Sequence, residues 1–232
     1  ELAKLISGKN KNNDEFNYSS FPLHRKRTDW LKFELFKKWT KFNYNFSCSG
    51  LENIDFNENY IFTPNHESHF DSMWMMAFFP KKMQVRMCSM AADYLFRKSI
   101  YKYGVRIMGG VPVHRNGNTS IAMKRIYDLI AFENRSLMIH PEGTRSRNGQ
   151  LGEFKIGAAE LSIKTKIKII PVGINGARDI FPPDKKFPKL RTIGEKKRLH
   201  FAFGTPLDPL NYSNARELTR EIKKEIIKLK NI

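Results

Sequence analysis

Apolar residues recur at helical spacing early in the chain, within residues 29–46. The members of this stripe follow one another at steps of four, four, three and four: Leu31, Leu35, Trp39, Phe42 and Phe46. Such spacing places them on one face of an amphipathic helix, which is bordered by Lys32, Lys37, Lys38 and Lys41. The stripe either packs on the protein's own core or covers an external apolar layer, and one helix can serve both purposes.

Short apolar runs alternate with helical patterns along the rest of the chain. Runs typical of strands lie at residues 60–63, 85–88, 137–139, 167–174 and 199–203. Helical patterns lie at residues 72–79, 93–103, 120–132, 155–164 and 215–230, the last marked by Leu218, Ile222, Ile226 and Leu229. This alternating order predicts an α/β fold.

Length and pattern also bound the organisation of the chain. Its 232 residues suit one globular domain. We interpret residues 1–28 as a linker or the tail of an upstream segment, residues 29–46 as the amphipathic helix, and residues 47–232 as the principal domain. The chain begins at Glu1 without Met or a signal-peptide pattern, which suggests a fragment or a processed start. No run approaches about 18 consecutive apolar residues, so we expect any membrane contact to be peripheral.

The charge of the chain narrows the class of partner. Lys and Arg number 41 against 23 Asp and Glu, which gives a formal net charge of +18. This excess predicts an anionic partner, and charge alone leaves nucleic acid, lipid headgroups, phosphorylated substrates and acidic proteins open. The 18 Phe and three Trp favour a surface that meets lipid. We therefore expect a peripheral position on the cytoplasmic face of an anionic phospholipid membrane, with contacts from Leu31, Leu35, Trp39 and Phe42.

A histidine and a carboxylate stand five positions apart, just after the apolar run that ends at Pro64. They belong to the sequence NHESHFD at residues 65–71. His66 can take a proton from a hydroxyl, and Asp71 on its other ring nitrogen would fix the tautomer and stabilise the imidazolium. Because five positions align poorly on a straight helix, we expect His66 in a turn and Asp71 at the start of the next helix. The alternative is a surface histidine near a helix cap.

Three further segments carry candidate ligand-binding residues. The sequence GGVPVHR at residues 109–115 ends in Arg115, whose planar guanidinium suits phosphate, although this segment taken alone is better explained by a surface arginine. The sequence HPEGTRS at residues 140–146 follows an apolar strand, where α/β folds bind ligands, and the alternative is a polar turn. In IIPVGING at residues 169–176, Pro171 has no backbone N–H to donate. It therefore fits either an edge strand or an interior strand in which a gap or a ligand faces the missing donor.

In this order and at these separations, the four blocks resemble the four motifs of the glycerolipid acyltransferases, the 1-acylglycerol-3-phosphate acyltransferase family. The resemblance spans about residues 47 to 230 and implies a mixed sheet flanked by helices, with an N-terminal amphipathic helical arm. By position, it implies that His66 is the general base and Asp71 its orienting partner. It also implies that the acceptor's phosphate is bound by Arg115, Glu142, Gly143, Thr144 and Arg145. Pro171 would lie on the acyl-donor side or shape the site.

The resemblance also implies a reaction. A fatty acyl group would pass from acyl-CoA or acyl carrier protein to the sn-2 hydroxyl of 1-acylglycerol 3-phosphate (lysophosphatidate), giving phosphatidate. Backbone N–H groups around the first block are the candidate oxyanion donors. No metal or other cofactor is expected, and Cys48 and Cys88 show no metal-ligand or disulfide pattern, which favours a reducing compartment. His140, Pro112 and His114 depart from the commoner residues of the family and leave the acceptor headgroup open.

Two alternatives follow from the same sequence. The acceptor could be glycerol 3-phosphate or another lysophospholipid, and a remodelling transacylase belongs to this group. From a different class, a non-enzymatic basic protein that binds the phosphates of nucleic acid would explain the charge but not the pairing of His66 with Asp71. We therefore expect no nucleic-acid partner.

Overall fold

One seven-stranded mixed sheet organises the computed structural model, which describes residues 17–22, 28–97, 99–114, 119–192 and 195–231. The strands are β1 (Asn45–Ser49), β2 (Ile61–Pro64), β3 (Met87–Ala92), β4 (Gly110–Val113), β5 (Ser136–Met138), β6 (Ile169–Asn175) and β7 (Arg198–Phe203). Their order is β1-β7-β6-β2-β5-β3-β4. Neighbours run parallel except for the antiparallel pair β6 and β7. The carboxyl ends of β2, β5 and β6 therefore share one edge of the sheet.

Helices cover both faces of this sheet. They are α1 (Asp29–Asn43), α2 (Asp71–Met76), α3 (Lys81–Arg86), α4 (Ser99–Ile107), α5 (Ser120–Ala131), α6 (Gly157–Thr165), α7 (Ala177–Ile180) and α8 (Ala215–Lys230). Consecutive side chains of β2 alternate between the faces, because Phe62 joins the apolar layer under α1 to α3 whereas Ile61 joins the layer under α5, α6 and α8. The expected α/β class with a mixed sheet flanked by helices is confirmed.

The first helix differs from its predicted form in both length and orientation. It ends at Asn43, and Phe46 lies in β1 and is buried. The face that packs on the core carries Phe33 and Thr40, whereas Leu31, Leu35 and Phe42 of the predicted stripe are exposed. Trp39 is partly buried, and its ring stacks on Phe36 with centroids 5.7 Å apart. The stripe therefore does not pack on the core as a unit. The face of the helix that carries Phe33 and Phe36 packs there instead.

Other element boundaries in the structure also differ from those that the sequence predicted. Residues 85–88, predicted as a strand, contain the end of α3 and the start of β3, and the helix predicted at 93–103 divides into a 3₁₀ turn (Asp93–Phe96) and α4. Part of the predicted linker packs on the domain, because Phe21 is buried and its ring meets Phe96 edge-on with centroids 5.3 Å apart. Residues 1–16 lie outside the described residues, and so does the rest of that linker except 17–22 and 28.

Pro171 sits in an interior strand, which excludes the edge-strand alternative. β6 lies between β2 and β7, and Pro171 is in register with Thr63. The antiparallel ladder with β7 is interrupted at this point, since its regular pairing begins at Val172 and an isolated bridge joins Ile169 to Leu207. The carbonyl of Pro171 accepts a hydrogen bond from Gly204 N at 2.9 Å. A bulged ladder thus accommodates the missing donor.

Candidate active site

The loop between β2 and α2 carries the first motif and leaves the sheet in a fixed direction. The Oδ1 of Asn65 accepts from Ile174 N at 2.6 Å, and its Nδ2 donates to Ile174 O at 3.1 Å. Asn65 thereby joins the end of β2 to the end of β6 after the two strands have separated. A buried side-chain amide that replaces a ladder hydrogen bond in this way holds the first loop residues rigidly.

His66 and Asp71 form the pair that the sequence predicted. Nδ1 of His66 lies 2.9 Å from Oδ2 of Asp71, which opens α2 and is fully buried. The same carboxylate oxygen accepts from the backbone N–H groups of Glu67 at 2.7 Å and Ser68 at 2.8 Å. Three donors on one oxygen fix the loop around the carboxylate. The imidazole is thus held by Nδ1, which directs Nε2 away from Asp71.

These hydrogen bonds alter the expectation for the oxyanion. The backbone N–H groups of Glu67 and Ser68 donate to Asp71, and that of His66 donates to Glu142 at 2.9 Å. The N–H groups of Asn65 and Phe70 also have acceptors, Val172 O and Ser68 Oγ. The N–H groups of these five residues therefore stabilise the loop and are poor candidates for oxyanion donors.

Burial shifts the proton affinity of the carboxylate. Removal from solvent raises the pKa of Asp71 from 3.8 to about 6, and His140 and the two backbone donors oppose that rise only in part. A carboxyl with its pKa in this range changes charge just below neutral pH. The pairing of His66 with an ionised partner therefore depends on pH in the range where enzymes commonly operate.

His140 lies flat against His66, a contact that sequence reasoning missed. The two rings stack with centroids 3.8 Å apart and an interplanar angle of 14°. Nδ1 of His140 lies 3.1 Å from Pro64 O, and its Nε2 lies 3.1 Å from Ser72 Oγ. Burial, with a further contribution from His66, lowers the pKa of His140 to about 3. The ring is therefore neutral at working pH, and its only signal in the sequence was the departure from an aromatic residue at this position.

Glu142 supports the site instead of facing a ligand. Its Oε1 accepts from the backbone N of His66 at 2.9 Å, and its Oε2 accepts from Gly152 N at 2.9 Å. The side chain is buried, so both oxygens are engaged by the protein. Its predicted role as a phosphate ligand stays a prediction, which this geometry disfavours because both oxygens already accept hydrogen bonds from the protein and a carboxylate repels phosphate. Glu142 links the third motif to the loop that carries His66.

Gly143, Thr144 and Arg145 lie where the third motif turns outward. Gly143 has a φ of +67°, and a Cβ at that position would lie 2.9 Å from the end of the Lys155 side chain. Gly143 and Thr144 are exposed, and Arg145 is partly buried. This turn accordingly presents a hydroxyl and a guanidinium beside the first motif, the donor set that a phosphate prefers.

Arg145 reaches the first motif directly. Its Nη1 contacts both ring nitrogens of His69, 2.7 Å from Nε2. The pKa of His69 is lowered, first by burial and then by the Arg145 charge, so the neutral ring suits this neighbour. The contact places a cationic group within the same loop cluster as His66. Arg115, the other predicted phosphate ligand, lies outside the described residues.

A buried ion pair fixes the far side of the loop, and it too was missed. Glu67 is buried, and its Oε1 contacts Nζ of Lys230, near the end of α8. Lys230 also donates to Gly149 O at 3.2 Å. Burial raises the pKa of Glu67, while the hydrogen bond and charge of Lys230 lower it. No periodicity relates residues so distant in sequence, so only the folded chain shows the pair.

The arrangement suits proton transfer assisted by an anion-binding turn. His66 can accept a proton at Nε2 while Asp71 stabilises the resulting imidazolium, and Arg145 with Thr144 can hold an anionic group nearby.

Within the described ranges, no group of three or more His, Cys, Asp or Glu residues is placed to hold a metal ion. In that same part of the chain, no helix is both long and apolar enough to cross a membrane.

Several known proteins have sequences similar to that of this chain. A 1-acyl-sn-glycerol-3-phosphate acyltransferase from Streptococcus pneumoniae is 29% identical over 151 residues, which cover 65% of this chain and 51% of that protein. The chloroplastic 1-acyl-sn-glycerol-3-phosphate acyltransferase LPAT1 of Arabidopsis thaliana is 29% identical over 142 residues, 60% of this chain and 38% of that protein. The human beta form is 31% identical over 130 residues, 55% of this chain and 45% of that protein. The matches thus reach about half the length of these relatives, or less.

The fold and a family model agree with these similarities. The crystal structure of the 1-acyl-sn-glycerophosphate (LPA) acyltransferase PlsC from Thermotoga maritima matches with a TM-score of 0.71 at 21% identity, covering 89% of this chain and 82% of that one. That likeness shows a shared fold. The model of the acyltransferase family matches residues 45–175, which contain the first three motifs and all of the fourth except its last residue, Gly176. The chain therefore belongs to the acyltransferase family, as its motifs predicted.

Proposed function

We propose that the protein transfers a fatty acyl group from a thioester donor to the sn-2 hydroxyl of 1-acylglycerol 3-phosphate, giving phosphatidate. The observation that carries the proposal is the 2.9 Å contact between His66 Nδ1 and Asp71 Oδ2, beside a turn that contains Arg145. The names of the three relatives described above favour this acceptor over other lysophospholipids.

The reaction follows from the orientation of the imidazole. Nε2 of His66 takes the proton of the acceptor hydroxyl as its oxygen attacks the thioester carbonyl. The tetrahedral intermediate then expels the thiolate, which receives the proton back from the imidazolium. Asp71 stabilises the imidazolium between these two steps. The protein forms no covalent bond to the acyl group.

Positioning of the acceptor rests on the phosphate. Arg145 and Thr144 at the exposed turn, together with Arg115, would bind the phosphate group and so align the sn-2 hydroxyl with His66. Holding both reactants at one site removes much of the entropic barrier of a bimolecular step. Pro171 contributes to the shape of the site, since it lies one residue pair from Pro64 in the ladder between β2 and β6.

The exposed side of α1 supports a membrane partner. Leu31, Leu35 and Phe42 project from the body of the protein, while lysines on the same helix supply positive charge. An amphipathic helix of this kind lies in the headgroup layer of an anionic bilayer, where a lysophosphatidate acceptor also resides. Trp39 contributes less to this surface than its place in the stripe predicted, because it packs against Phe36. We propose that this binding is peripheral and takes place on the cytoplasmic face of the membrane.

The test compares the protein with its His66→Ala variant. Each is incubated with 1-acylglycerol 3-phosphate and either a labelled long-chain acyl-CoA or the corresponding acyl carrier protein, and labelled phosphatidate is measured. We expect the variant to lose activity by about 10²-fold to 10⁴-fold, because the general base is gone. A His200→Asn variant is the matched control, since His200 bonds Ser47 and Ser49 at the β1 edge of the sheet.

Two outcomes would contradict the proposal. Equal activity in the wild type and in a folded His66→Ala variant would remove His66 from the mechanism. Absence of acyl transfer with either donor and with glycerol 3-phosphate or other lysophospholipids, together with salt-sensitive binding to nucleic acid, would favour the non-enzymatic alternative.

A further inference from the structure

A short loop near the active site exposes large apolar side chains among basic ones. This loop, residues 184–191, has the sequence DKKFPKLR and connects α7 to β7. Phe187 is 80% exposed and Leu190 is 57% exposed. The basic residues of the loop are Lys185, Lys186, Lys189 and Arg191, against a single acid, Asp184. Two exposed apolar groups within a cationic loop are typical of a protein surface that contacts an anionic lipid bilayer.

The 184–191 loop is held in place from both ends. Lys189 N donates to Ile180 O at 2.8 Å, and the hydroxyl of Tyr44, a buried residue, donates to Lys189 O at 3.0 Å. Just before the loop, Phe181 packs edge-on against Phe70 with ring centroids 4.8 Å apart. These contacts fix the backbone that presents Phe187 and Leu190.

The loop is also joined to the catalytic segment. Nε2 of His69 lies 3.2 Å from Pro183 O, and the rings of His69 and Phe181 lie 4.9 Å apart. His69 in turn contacts Arg145. The residues that support the 184–191 loop are thus direct neighbours of the residues that flank His66.

On its other side, the loop continues the exposed surface of α1. The guanidinium of Arg191 lies over the ring of Phe42 with 4.1 Å to the ring centroid. Phe42 belongs to the exposed apolar residues of α1. The loop and the helix therefore meet through Arg191 and Phe42, so the exposed apolar side chains of α1 lie next to the cationic end of the loop.

We propose that the 184–191 loop is a second membrane-contact element, which inserts Phe187 and Leu190 into the headgroup layer of an anionic bilayer. Lys185, Lys186 and Lys189 pair with lipid phosphates at that surface. A bilayer fits better than an acidic protein because the apolar residues extend the exposed face of α1 instead of lining a closed groove. The loop would seat the His66 site against the layer that contains the acceptor, and this role in catalysis rests on the proposed function.

The experiment uses the double substitution Phe187→Ser with Leu190→Ser. Its matched control is Phe132→Ser with Leu210→Ser, which removes a similarly exposed Phe (75%) and a more exposed Leu (74%) from other parts of the surface. Binding to vesicles of phosphatidylglycerol and phosphatidylcholine is measured by sedimentation. We expect the loop variant to bind about tenfold more weakly or worse, and the control to bind as the wild type does.

Activity separates this proposal from the function on which it rests. We expect transfer to a vesicle-embedded acceptor to fall in the loop variant relative to transfer to a short-chain, water-soluble acceptor. Unchanged vesicle binding by a folded loop variant would overturn the proposal, as would an equal loss in the control. A loss of binding to acyl carrier protein with vesicle binding intact would also overturn it. Failure of the wild type to transfer acyl groups to either acceptor would refute the proposed function, whereas vesicle binding would still test the loop.

Discussion

At the scale of single residues, burial shifts the two groups around His66 in opposite senses. Asp71 is a carboxyl that burial makes harder to ionise, and His140 is an imidazole that burial makes harder to protonate. Both shifts disfavour charge beside the ring of His66. In the proposed reaction, a neutral His140 stacked on His66 would add no repulsion when His66 becomes an imidazolium.

The raised pKa of Asp71 predicts an acid limit to activity. As the pH falls through about 6, Asp71 gains a proton and ceases to stabilise the imidazolium of His66. We expect kcat/KM to decline below that pH and to level off above it. An Asp71→Asn variant should lose about 10²-fold or more of the activity. A wild-type profile that is flat from pH 5 to 8, measured with a soluble acceptor, would contradict the assignment.

The lowered pKa of His140 predicts a pH dependence of stability. Between the unfolded pKa of 6.5 and the folded value of about 3, the unfolded chain binds a proton that the folded chain does not. This group therefore makes the free energy of unfolding rise with pH across that window. We expect His140→Phe, which keeps a flat ring, to be less sensitive to acid in urea titrations at pH 4 to 7. An unchanged slope relative to the wild type would refute this account.

At the scale of elements, α8 determines how the far side of the site is built. A Cβ at Gly173 in β6 would lie 2.6 Å from Leu229 Cβ, so only a glycine lets the helix approach this strand so closely. That approach brings Lys230 to Glu67 in the loop between β2 and α2. The packing of a helix on a strand thus supports the loop that carries His66.

The Glu67 and Lys230 pair predicts a strongly non-additive mutant cycle. Lys230→Met leaves a buried carboxylate without its cation, which should reduce the free energy of unfolding by about 3 kcal/mol. The double variant Glu67→Gln with Lys230→Met should recover most of that loss, because no buried charge is left unpaired. Chemical denaturation measures all four proteins. Additive effects in the double variant would show that the two side chains do not interact.

The sequence predicted regular elements better than their junctions. The helix Ala215–Lys230 has the predicted bounds, because its apolar residues repeat cleanly over four turns and Asn214 caps its first turn. β1 and α3 were missed, because their sequences NFSCS and KKMQVR are largely polar and too short to show a strand or helix period of their own. In the site, His66 and Asp71 were found because they are local in sequence. The contacts of His140 and of Lys230 depend on tertiary packing and leave no periodic signal.

At the scale of the whole molecule, the position of the positive charge matters as well as its amount. The net charge of +18 includes the lysines of α1 and the four cations of the 184–191 loop, which lie around exposed apolar side chains. In the proposed membrane binding, charge of this kind would attract an anionic bilayer over a distance of about 10 Å at moderate salt, and apolar insertion would then retain the protein.

This division of roles predicts how vesicle binding responds to salt. Raising the salt from 0.05 to 0.5 M should weaken binding to anionic vesicles strongly, because the Debye length shortens about threefold. We expect Leu35→Glu with Phe42→Glu to weaken binding at every salt concentration, since these side chains of α1 are exposed. Lys164→Glu, on the opposite side of the sheet, is a control of similar charge change. Vesicle binding that is indifferent to both salt and the α1 variant would exclude this surface.

The pair between α8 and the catalytic loop also bears on the synthesis of the protein. Glu67 and Lys230 are separated by 163 positions, so the loop that holds His66 emerges from the ribosome long before the cation that pairs with it. A nascent chain that ends at residue 176 contains all four motifs but lacks β7 and α8. Until those elements arrive, Glu67 lacks its Lys230 partner, and the loop that holds His66 can reach its final form only after α8 has been synthesised.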